Sequence, residues 1–198
     1  SGTIKKCGRP LAYPGLCWEC RSRQRSFVRS WSAAVYRGVL RQCLHRFKYS
    51  HSAYLAPFFG MLLANHLEEV DGVPSKPLVV PVPLDQRRLG DRGFNQSQLL
   101  AEEMARLRHW QLDSRVLRRI RITLPQADLK AADRWVNVAG AFAAHGRLKG
   151  KQILLVDDIY TTGATAEAAS QALKNAGASS VYVATVAIAS SHPQGRAK

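Results

Sequence analysis

The stretch that decides the fold is residues 153–165, Ile-Leu-Leu-Val-Asp-Asp-Ile-Tyr-Thr-Thr-Gly-Ala-Thr. Four apolar residues run into two adjacent carboxylates, and a loop rich in hydroxyls follows, before a periodic, alanine-rich segment. This order predicts a buried strand, a polar loop at its carboxyl end and a helix that begins where the loop stops. Ligands of open α/β sheets bind outside the carboxyl ends of the strands, where a helix N-terminus offers N–H groups to an anion. We therefore expect a ligand that carries both hydroxyls and phosphate.

The residue types in this loop suit such a ligand. Asp157 and Asp158 accept hydrogen bonds when ionised, as neighbouring ribose hydroxyls require. The hydroxyls of three threonines can donate to phosphate oxygens, and the glycine lets the backbone come close; these residues are Thr161, Thr162, Gly163 and Thr165. An ordinary strand, turn and helix cap is the alternative, because Asp and Thr are common capping residues.

An ATPase is a second alternative, because an acidic strand end also occurs there. It requires a phosphate loop of the form G-x-x-x-x-G-K-[ST] elsewhere in the chain. The nearest match, residues 146–152, has the wrong spacing, has no Ser or Thr after the lysine and precedes a strand. The sequence therefore excludes this class.

Residues 153–165 resemble the phosphoribosyl pyrophosphate (PRPP) signature of type I phosphoribosyltransferases. The resemblance implies that Asp157 and Asp158 hold the ribose 2′ and 3′ hydroxyls. It also implies that the loop from Thr161 to Thr165, including Ala164, holds the 5′-phosphate. The branch that salvages 6-oxopurines carries an aspartate where this chain has Thr161, so hypoxanthine or guanine salvage is not expected.

A second informative stretch follows the predicted strand at residues 78–83. Arg87, Arg88 and Arg92 come in a segment with two glycines, which predicts a loop whose guanidinium groups form a fork for pyrophosphate. Asn95 is placed to cap an apolar helix from about Ser97 to Leu107. The alternative for the arginines is a solvated basic loop.

This stretch resembles the Arg-Arg-x-x-x-Arg-Gly-Phe-Asn-Gln signature of the ComF/GntX family of competence-associated, phosphoribosyltransferase-like proteins. Further matches follow in the family's order: Cys17-Trp-Glu-Cys20, Phe47-Lys48-Tyr49, Pro81-Val-Pro-Leu84, and Pro125-Gln126-x-x-Leu129 with Arg134, Asn137 and Phe142. The resemblance implies that residues 123–137 are a lid loop with Gln126 and Arg134 as contacts, and Arg134 is the candidate catalytic residue. It implies PRPP with Mg²⁺ as the ligand, phosphoribosyl transfer as a candidate activity, and a role in DNA uptake. Single-stranded DNA and a competence helicase-type protein are the implied partners.

The cysteines predict an N-terminal segment of zinc-knuckle origin. Cys17 and Cys20 form a C-x-x-C pair, and Cys7 lies in a Cys-Gly-Arg-Pro turn before it. A zinc knuckle supplies two such pairs, but Ile4 stands where the remaining cysteine is expected. Zn²⁺ bound by Cys7, Cys17, Cys20 and one more group is one reading, with Cys43, His45 and His51 as candidates for the fourth ligand. A degenerate site is the other. A redox role is not expected, since the strand and helix context of a thioredoxin-like unit is absent.

The charge is +15 over 198 residues and is unevenly placed. Residues 1–54 contain eleven Lys or Arg and one acid, with aromatic residues interleaved among the cations. A second basic cluster comprises Arg115, Arg118, Arg119 and Arg121. This mixture is typical of proteins that bind single-stranded nucleic acid, although a basic protein with aromatic core residues is the alternative. No apolar stretch approaches the length of a membrane span, and no signal peptide is visible, so we expect a cytoplasmic protein with no membrane insertion.

Strands and helices alternate across residues 75–190, which predicts an α/β fold with a mostly parallel sheet flanked by helices. The resemblance implies that this fold is of the type I phosphoribosyltransferase kind. We expect three regions: a zinc-knuckle-like segment at 1–30, the phosphoribosyltransferase-like domain at 31–190 and a polar tail at 191–198. Three functions stay open: a ComF-type PRPP-binding protein that handles DNA, a nucleobase phosphoribosyltransferase of salvage, and a module for single-stranded DNA whose PRPP pocket is regulatory or vestigial.

Overall fold

The centre of the fold is a five-stranded, fully parallel sheet with strand order β1-β7-β6-β2-β3. The computed structural model describes residues 7, 20–21, 24–49, 52–122 and 131–189. The strands are β1 (Arg29–Val35), β2 (Leu78–Pro81), β3 (Gln111–Leu112), β4 (Leu117–Arg119), β5 (Phe142–Ala144), β6 (Gln152–Tyr160) and β7 (Ser180–Ile188). Strands β4 and β5 form a separate antiparallel ribbon. The mostly parallel sheet predicted from the sequence is thus confirmed.

Helices cover both faces of this sheet. They are α1 (Gly38–Tyr49), α2 (Ala56–Glu69), α3 (Gln86–Arg92), α4 (Gln96–Arg108), α5 (Ala131–Val138) and α6 (Ala164–Asn175), with a 3₁₀ turn at Ala53–Leu55 before α2. Helices α2 and α4 pack against each other and against the sheet, while α5 packs against α6. None of the helices in these ranges is long and apolar enough to span a membrane.

Side chains of β6 alternate between two hydrophobic cores. Ile153 and Leu155 join the core beneath α6 and the β4–β5 ribbon, whereas Leu154 and Val156 join the core beneath α2 and α4. All four are fully buried. This is why the strand is a continuous apolar run: a parallel strand covered on both faces has no polar side to show.

Several predicted elements are confirmed with small shifts. β1 begins at Arg29, two residues before the predicted start of the phosphoribosyltransferase-like domain at residue 31, and α1 follows it. Asn95 caps α4, since its side-chain oxygen accepts a hydrogen bond from the N–H of Ser97 at 3.1 Å. Pro81 is the last residue of β2, an interior strand between β6 and β3, and so tolerates the missing N–H at its end.

The arginine-rich segment is a short helix, and the prediction of a loop there is wrong. Asp85 caps α3 by accepting a hydrogen bond from the N–H of Arg88 at 3.0 Å, and Gly93 ends the helix at a φ of +78°. The cap and the left-handed glycine provide start and stop signals, and they outweigh the internal Gly90.

Candidate functional site

A short loop joins the acidic end of β6 to the first turn of α6. It ends at Gly163, whose φ of +79° lies in the left-handed region. A Cβ on this glycine would lie 2.6 Å from Cζ of Tyr160, so the tyrosine ring leaves no room for a side chain. The Thr162 hydroxyl accepts a hydrogen bond from the N–H of Ala164 at 3.4 Å. The loop therefore brings its backbone to the N-terminus of α6, where anions bind well.

The two aspartates at this end of β6 have different partners. Asp157 Oδ1 accepts hydrogen bonds from the Ser97 hydroxyl at 2.8 Å and from the N–H of Asp158 at 2.9 Å. Asp158 Oδ2 lies 2.8 Å from Nζ of Lys48, which extends from the last turn of α1. Two helices that precede β6 in the chain, α1 and α4, thus converge on the carboxylates of one strand.

Burial and the charge of Asp158 raise the pKa of Asp157 to about 7, although the Ser97 hydrogen bond and Lys48 act in the opposite direction. Burial disfavours the ammonium of Lys48, but the attraction and hydrogen bond of Asp158 outweigh it, so the pKa of Lys48 is raised. Lys48 therefore stays protonated at neutral pH, while Asp157 titrates close to neutrality.

Arginines line the opposite side of the same space. Arg88 from α3 has its Nε 3.2 Å from Asp85 Oδ2, and Arg92 donates to Gln96 Oε1 at 3.0 Å. Arg119, at the end of β4, has its pKa lowered by burial and then by the nearby positive charge of Arg88. Because like charges are held close together here, the site is suited to a multiply charged anion.

These groups line one cavity of about 510 Å³, inside the range of roughly 300 to 1,000 Å³ that small-molecule sites occupy. It receives polar side chains from the β1–α1 region, from α3 and α4, from β4, from α5 and from the β6–α6 loop. The polar residues that line it are Tyr36, Arg41, Lys48, Arg88, Arg92, Asn95, Gln96, Ser97, Arg119, Arg134, Asp157, Asp158, Tyr160, Thr161, Thr165 and Thr185.

The structure brings most of the predicted site residues to this cavity. Those lining it are Asp157, Asp158, Thr161, Gly163, Thr165, Arg88, Arg92 and Arg134. Thr162 and Ala164 are buried behind the loop surface. Arg87 is exposed and lies outside the lining. Gln126 lies outside the described residues, and what each of these residues binds stays a prediction.

The fold also brings to the cavity three residues that the sequence does not identify as site residues, Lys48, Arg119 and Ser97. In the sequence, Lys48 is one of many cations in residues 1–54 and part of the Phe47-Lys48-Tyr49 family match. Arg119 is one member of the second basic cluster. Ser97 was read as a helical residue after the cap. For two of them the position in the chain is a signal: Arg119 ends a strand, and Ser97 lies in the first turn of the helix capped by Asn95.

The sequence predicts Mg²⁺ bound together with PRPP and Zn²⁺ at the N-terminal cysteines. Mg²⁺ prefers phosphate oxygens, carboxylates and water, and the aspartate pair supplies such oxygens at the cavity. Cys7 and Cys20 are buried in the same hydrophobic core, whereas Cys17 lies outside the described residues. Within the described ranges no group of three or more Cys, His, Asp or Glu side chains is placed to hold a metal. Zinc binding stays a prediction.

The parallel sheet, with an acidic strand end and a threonine-rich loop before α6, defines a type I phosphoribosyltransferase-like protein. Residues 114–198 match the family model described as the phosphoribosyl transferase domain. The chain is 34% identical over 182 residues to the DNA utilization protein YhgH of Escherichia coli K12, covering 90% of this chain and 80% of that protein. It is 32% identical over 179 residues to the competence protein ComFC of Bacillus subtilis, covering 86% and 71%. The chain belongs to the ComF/GntX family.

Solved structures show more distant likenesses. Glutamine PRPP amidotransferase from B. subtilis is 24% identical with a TM-score of 0.44, covering 67% of this chain and 26% of that one. A purine phosphoribosyltransferase from Pyrococcus horikoshii is 19% identical with a TM-score of 0.43, covering 71% and 79%.

Proposed function

We propose that this chain binds PRPP in the cavity at the carboxyl end of β6 and acts in the cytoplasm on or beside single-stranded DNA. The observation that carries the proposal is that one cavity presents a carboxylate pair, a glycine-containing helix N-terminus and five arginines, among them Arg88, Arg92 and Arg119. PRPP carries two neighbouring hydroxyls, a terminal phosphate and a pyrophosphate. Each of its polar groups therefore has a partner of matching chemistry.

The charges of the cavity favour this ligand over a neutral sugar. Arg88, Arg92 and Arg119 are partly or largely enclosed, so their attraction for an anion is weakly screened. Pyrophosphate contributes the negative charge that offsets their mutual repulsion. When bound, Mg²⁺ would neutralise further charge on the pyrophosphate, and Asp157 and Asp158 offer the carboxylate oxygens that it prefers.

Phosphoribosyl transfer is the candidate reaction for this arrangement. The bond between C1 of the ribose and the pyrophosphate oxygen breaks, and the electron pair leaves with pyrophosphate. An acceptor supplies a lone pair to C1 and loses a proton. Arg88, Arg92 and Arg119 stabilise the charge on the leaving group. Arg134, which belongs to the predicted lid segment at residues 123–137, is the candidate catalytic residue.

Single-stranded DNA is the proposed macromolecular partner. Tyr54 and Phe58 are 74% and 54% exposed, which is unusual for aromatic side chains and offers surfaces on which bases can stack. Arg37, Arg41 and Arg46 are exposed near or on α1 and can contact phosphates. The names of the relatives, a DNA utilization protein and a competence protein, support a DNA context for this chain.

Calorimetry with PRPP and Mg²⁺ tests the ligand. We expect wild type to bind and the double variant Asp157→Asn/Asp158→Asn to lose about a hundredfold or more in affinity, because each hydrogen bond to a charged acceptor contributes about 1.5 to 3 kcal/mol. Asp91→Asn is the matched control, since Asp91 is exposed on α3 and lies outside the cavity lining. Equal binding by wild type and the double variant would refute the site assignment.

Titration with a fluorescent single-stranded oligonucleotide at several salt concentrations tests the DNA proposal. We expect affinity to fall steeply with salt, and Tyr54→Ala/Phe58→Ala to weaken binding without changing PRPP affinity. If PRPP does not bind and its addition leaves the DNA affinity unchanged, the results would favour a DNA-binding module with a vestigial pocket. Release of pyrophosphate with one base of a nucleobase panel would favour a salvage enzyme instead.

A further inference from the structure

A buried arginine outside the cavity is not explained by the proposed ligand site. Arg25 is only 7% exposed, and in the described part of the chain none of its three guanidinium nitrogens has a hydrogen-bond partner. An enclosed cation without such partners is costly, so its neighbours must compensate. The guanidinium lies 4.7 Å from the ring centroid of Trp135, within the range of a cation–π contact, and 6.0 Å from that of Phe27.

The segment that carries Arg25 is fixed to the helix behind the phosphate loop. The Ser26 N–H donates to both carboxylate oxygens of Glu167, at 2.9 and 3.0 Å, and the Ser26 hydroxyl donates to Oε1 at 2.7 Å. Glu167 is in the first turn of α6, and its own N–H donates to the carbonyl of Gly163 at 2.9 Å. Arg25 is therefore held at a fixed place relative to the loop proposed to take the 5′-phosphate.

The other side of the contact leads to the cavity. Trp135 lies on α5, next to Arg134, which lines the cavity. Consecutive helical residues point about 100° apart, so a ring fixed on Arg25 sets the direction of the neighbouring side chain. Helix α5 also packs on α6, and its Val138 is buried.

We propose that Arg25 is a positioning residue that fixes α5 through Trp135 so that Arg134 faces the bound sugar phosphate. A continuous series of contacts then runs from Gly163 through Glu167, Ser26, Arg25 and Trp135 to Arg134. Both ends of this series lie at the cavity. The inference rests on the proposed PRPP binding for its functional consequence, but its structural step is testable without ligand.

A double-mutant cycle measures the functional step. We expect Arg25→Met to weaken Mg²⁺–PRPP binding about tenfold, within the range of coupling between contacting groups, and to have no further effect when Arg134 is already replaced by Gln. Trp135→Phe keeps a ring for the guanidinium and should retain most of the affinity, whereas Trp135→Leu should behave like Arg25→Met. Losses from Arg25→Met and Arg134→Gln that simply add would overturn the proposal.

Arg108→Met is the matched control. Arg108 also lies over a tryptophan, 5.2 Å from the ring centroid of Trp110, but it is outside the cavity lining. Its replacement removes an ion pair with Glu68 and should leave PRPP affinity unchanged.

Hydrogen exchange of the ligand-free protein separates this inference from the proposed function. We expect Arg25→Met to accelerate exchange of the amides of α5, but not those of α4, while Arg108→Met leaves α5 unchanged. Unchanged exchange in α5 would overturn the positioning role, whatever the ligand. If Arg25→Met accelerates exchange in α5 but the wild-type protein does not bind PRPP, the proposed function is refuted while the structural contact stands.

Discussion

The ammonium of Lys48 lies 2.8 Å from a carboxylate oxygen of Asp158, so that a helix near the start of the chain supplies the counter-charge for the acidic strand end near its other end. Without this cation, two adjacent carboxylates would be enclosed together at the end of β6. Among the described residues, the hydrogen-bond donors to Asp157 are neutral: the Ser97 hydroxyl and the N–H of Asp158. The lysine therefore governs how much negative charge the site holds before any ligand arrives.

Replacing Lys48 with Met should raise the pKa of Asp157 further, because the charge of Lys48 lowers it, and should weaken PRPP binding at pH 7. The physical reason is that the ionised form of Asp157 loses a neighbouring cation, so fewer molecules present both of the carboxylates that we propose to accept from the ribose hydroxyls. We expect a loss of about tenfold at pH 7, measured by calorimetry, that shrinks toward pH 9. Lys151→Met is the control, because Lys151 is exposed at the opposite end of the strand. A loss of the same size at both pH values would contradict this explanation.

PRPP affinity should fall as the pH is lowered from 8 to 6. The pKa of Asp157 is about 7, so the carboxylate that we propose to accept a ribose hydroxyl dominates at pH 8 and is about one-tenth populated at pH 6. We expect a fall of about tenfold by calorimetry over this range. Phosphate groups of the ligand also titrate near pH 6. The pH dependence of affinity that remains in Asp157→Asn is the part due to these phosphates. A wild type and an Asp157→Asn variant with the same pH dependence would show that Asp157 does not titrate in binding.

The strand and loop at the acidic end of β6 were predictable from the sequence because each of their signals is local. The apolar run indicates burial on both faces of the sheet, and Asn95 caps α4 through the N–H of Ser97, only two residues along the chain. Arg87, Arg88 and Arg92 were predicted as one group because they are close in sequence. The structure separates them, since helix α3 turns Arg87 outward while Arg88 and Arg92 face the cavity.

The remaining site residues depend on tertiary packing, which no local pattern records. Lys48 reaches Asp158 because α1 packs into the core that it shares with α2 and α4, and Arg119 reaches the cavity because the β4–β5 ribbon brings it there. Arg25 could be read only as one more cation of a basic segment. Its burial against Trp135 depends on how α5 packs on α6.

Gly163→Ala should destabilise the protein by more than a left-handed glycine alone would explain. A non-glycine residue in this backbone region costs about 1 to 2 kcal/mol, and the added Cβ would also overlap Tyr160. Gly150→Ala is a close control, because Gly150 has the same φ of +79° and open space around its Cβ. We expect chemical denaturation to show a loss of about 2 kcal/mol or more beyond that of the control. Adding Tyr160→Phe should recover part of it, and equal losses for both glycines would mean that the tyrosine yields freely.

Arg119 should contribute more to PRPP binding than Arg87, although only Arg87 belongs to the arginine-rich motif. Arg119 lines the cavity and is half-buried, whereas Arg87 is exposed and outside the lining. We expect Arg119→Met to lose about tenfold or more in affinity and Arg87→Met less than about twofold, because an enclosed charge-assisted contact contributes about 1.5 to 3 kcal/mol and an exposed one little. Ribose 5-phosphate lacks the pyrophosphate, so its binding should be nearly unaffected by Arg119→Met. Calorimetry with both ligands measures this difference. A large loss for Arg87→Met with PRPP would mean that α3 turns on ligand binding and that the motif, not the cavity lining, identifies the pyrophosphate contacts.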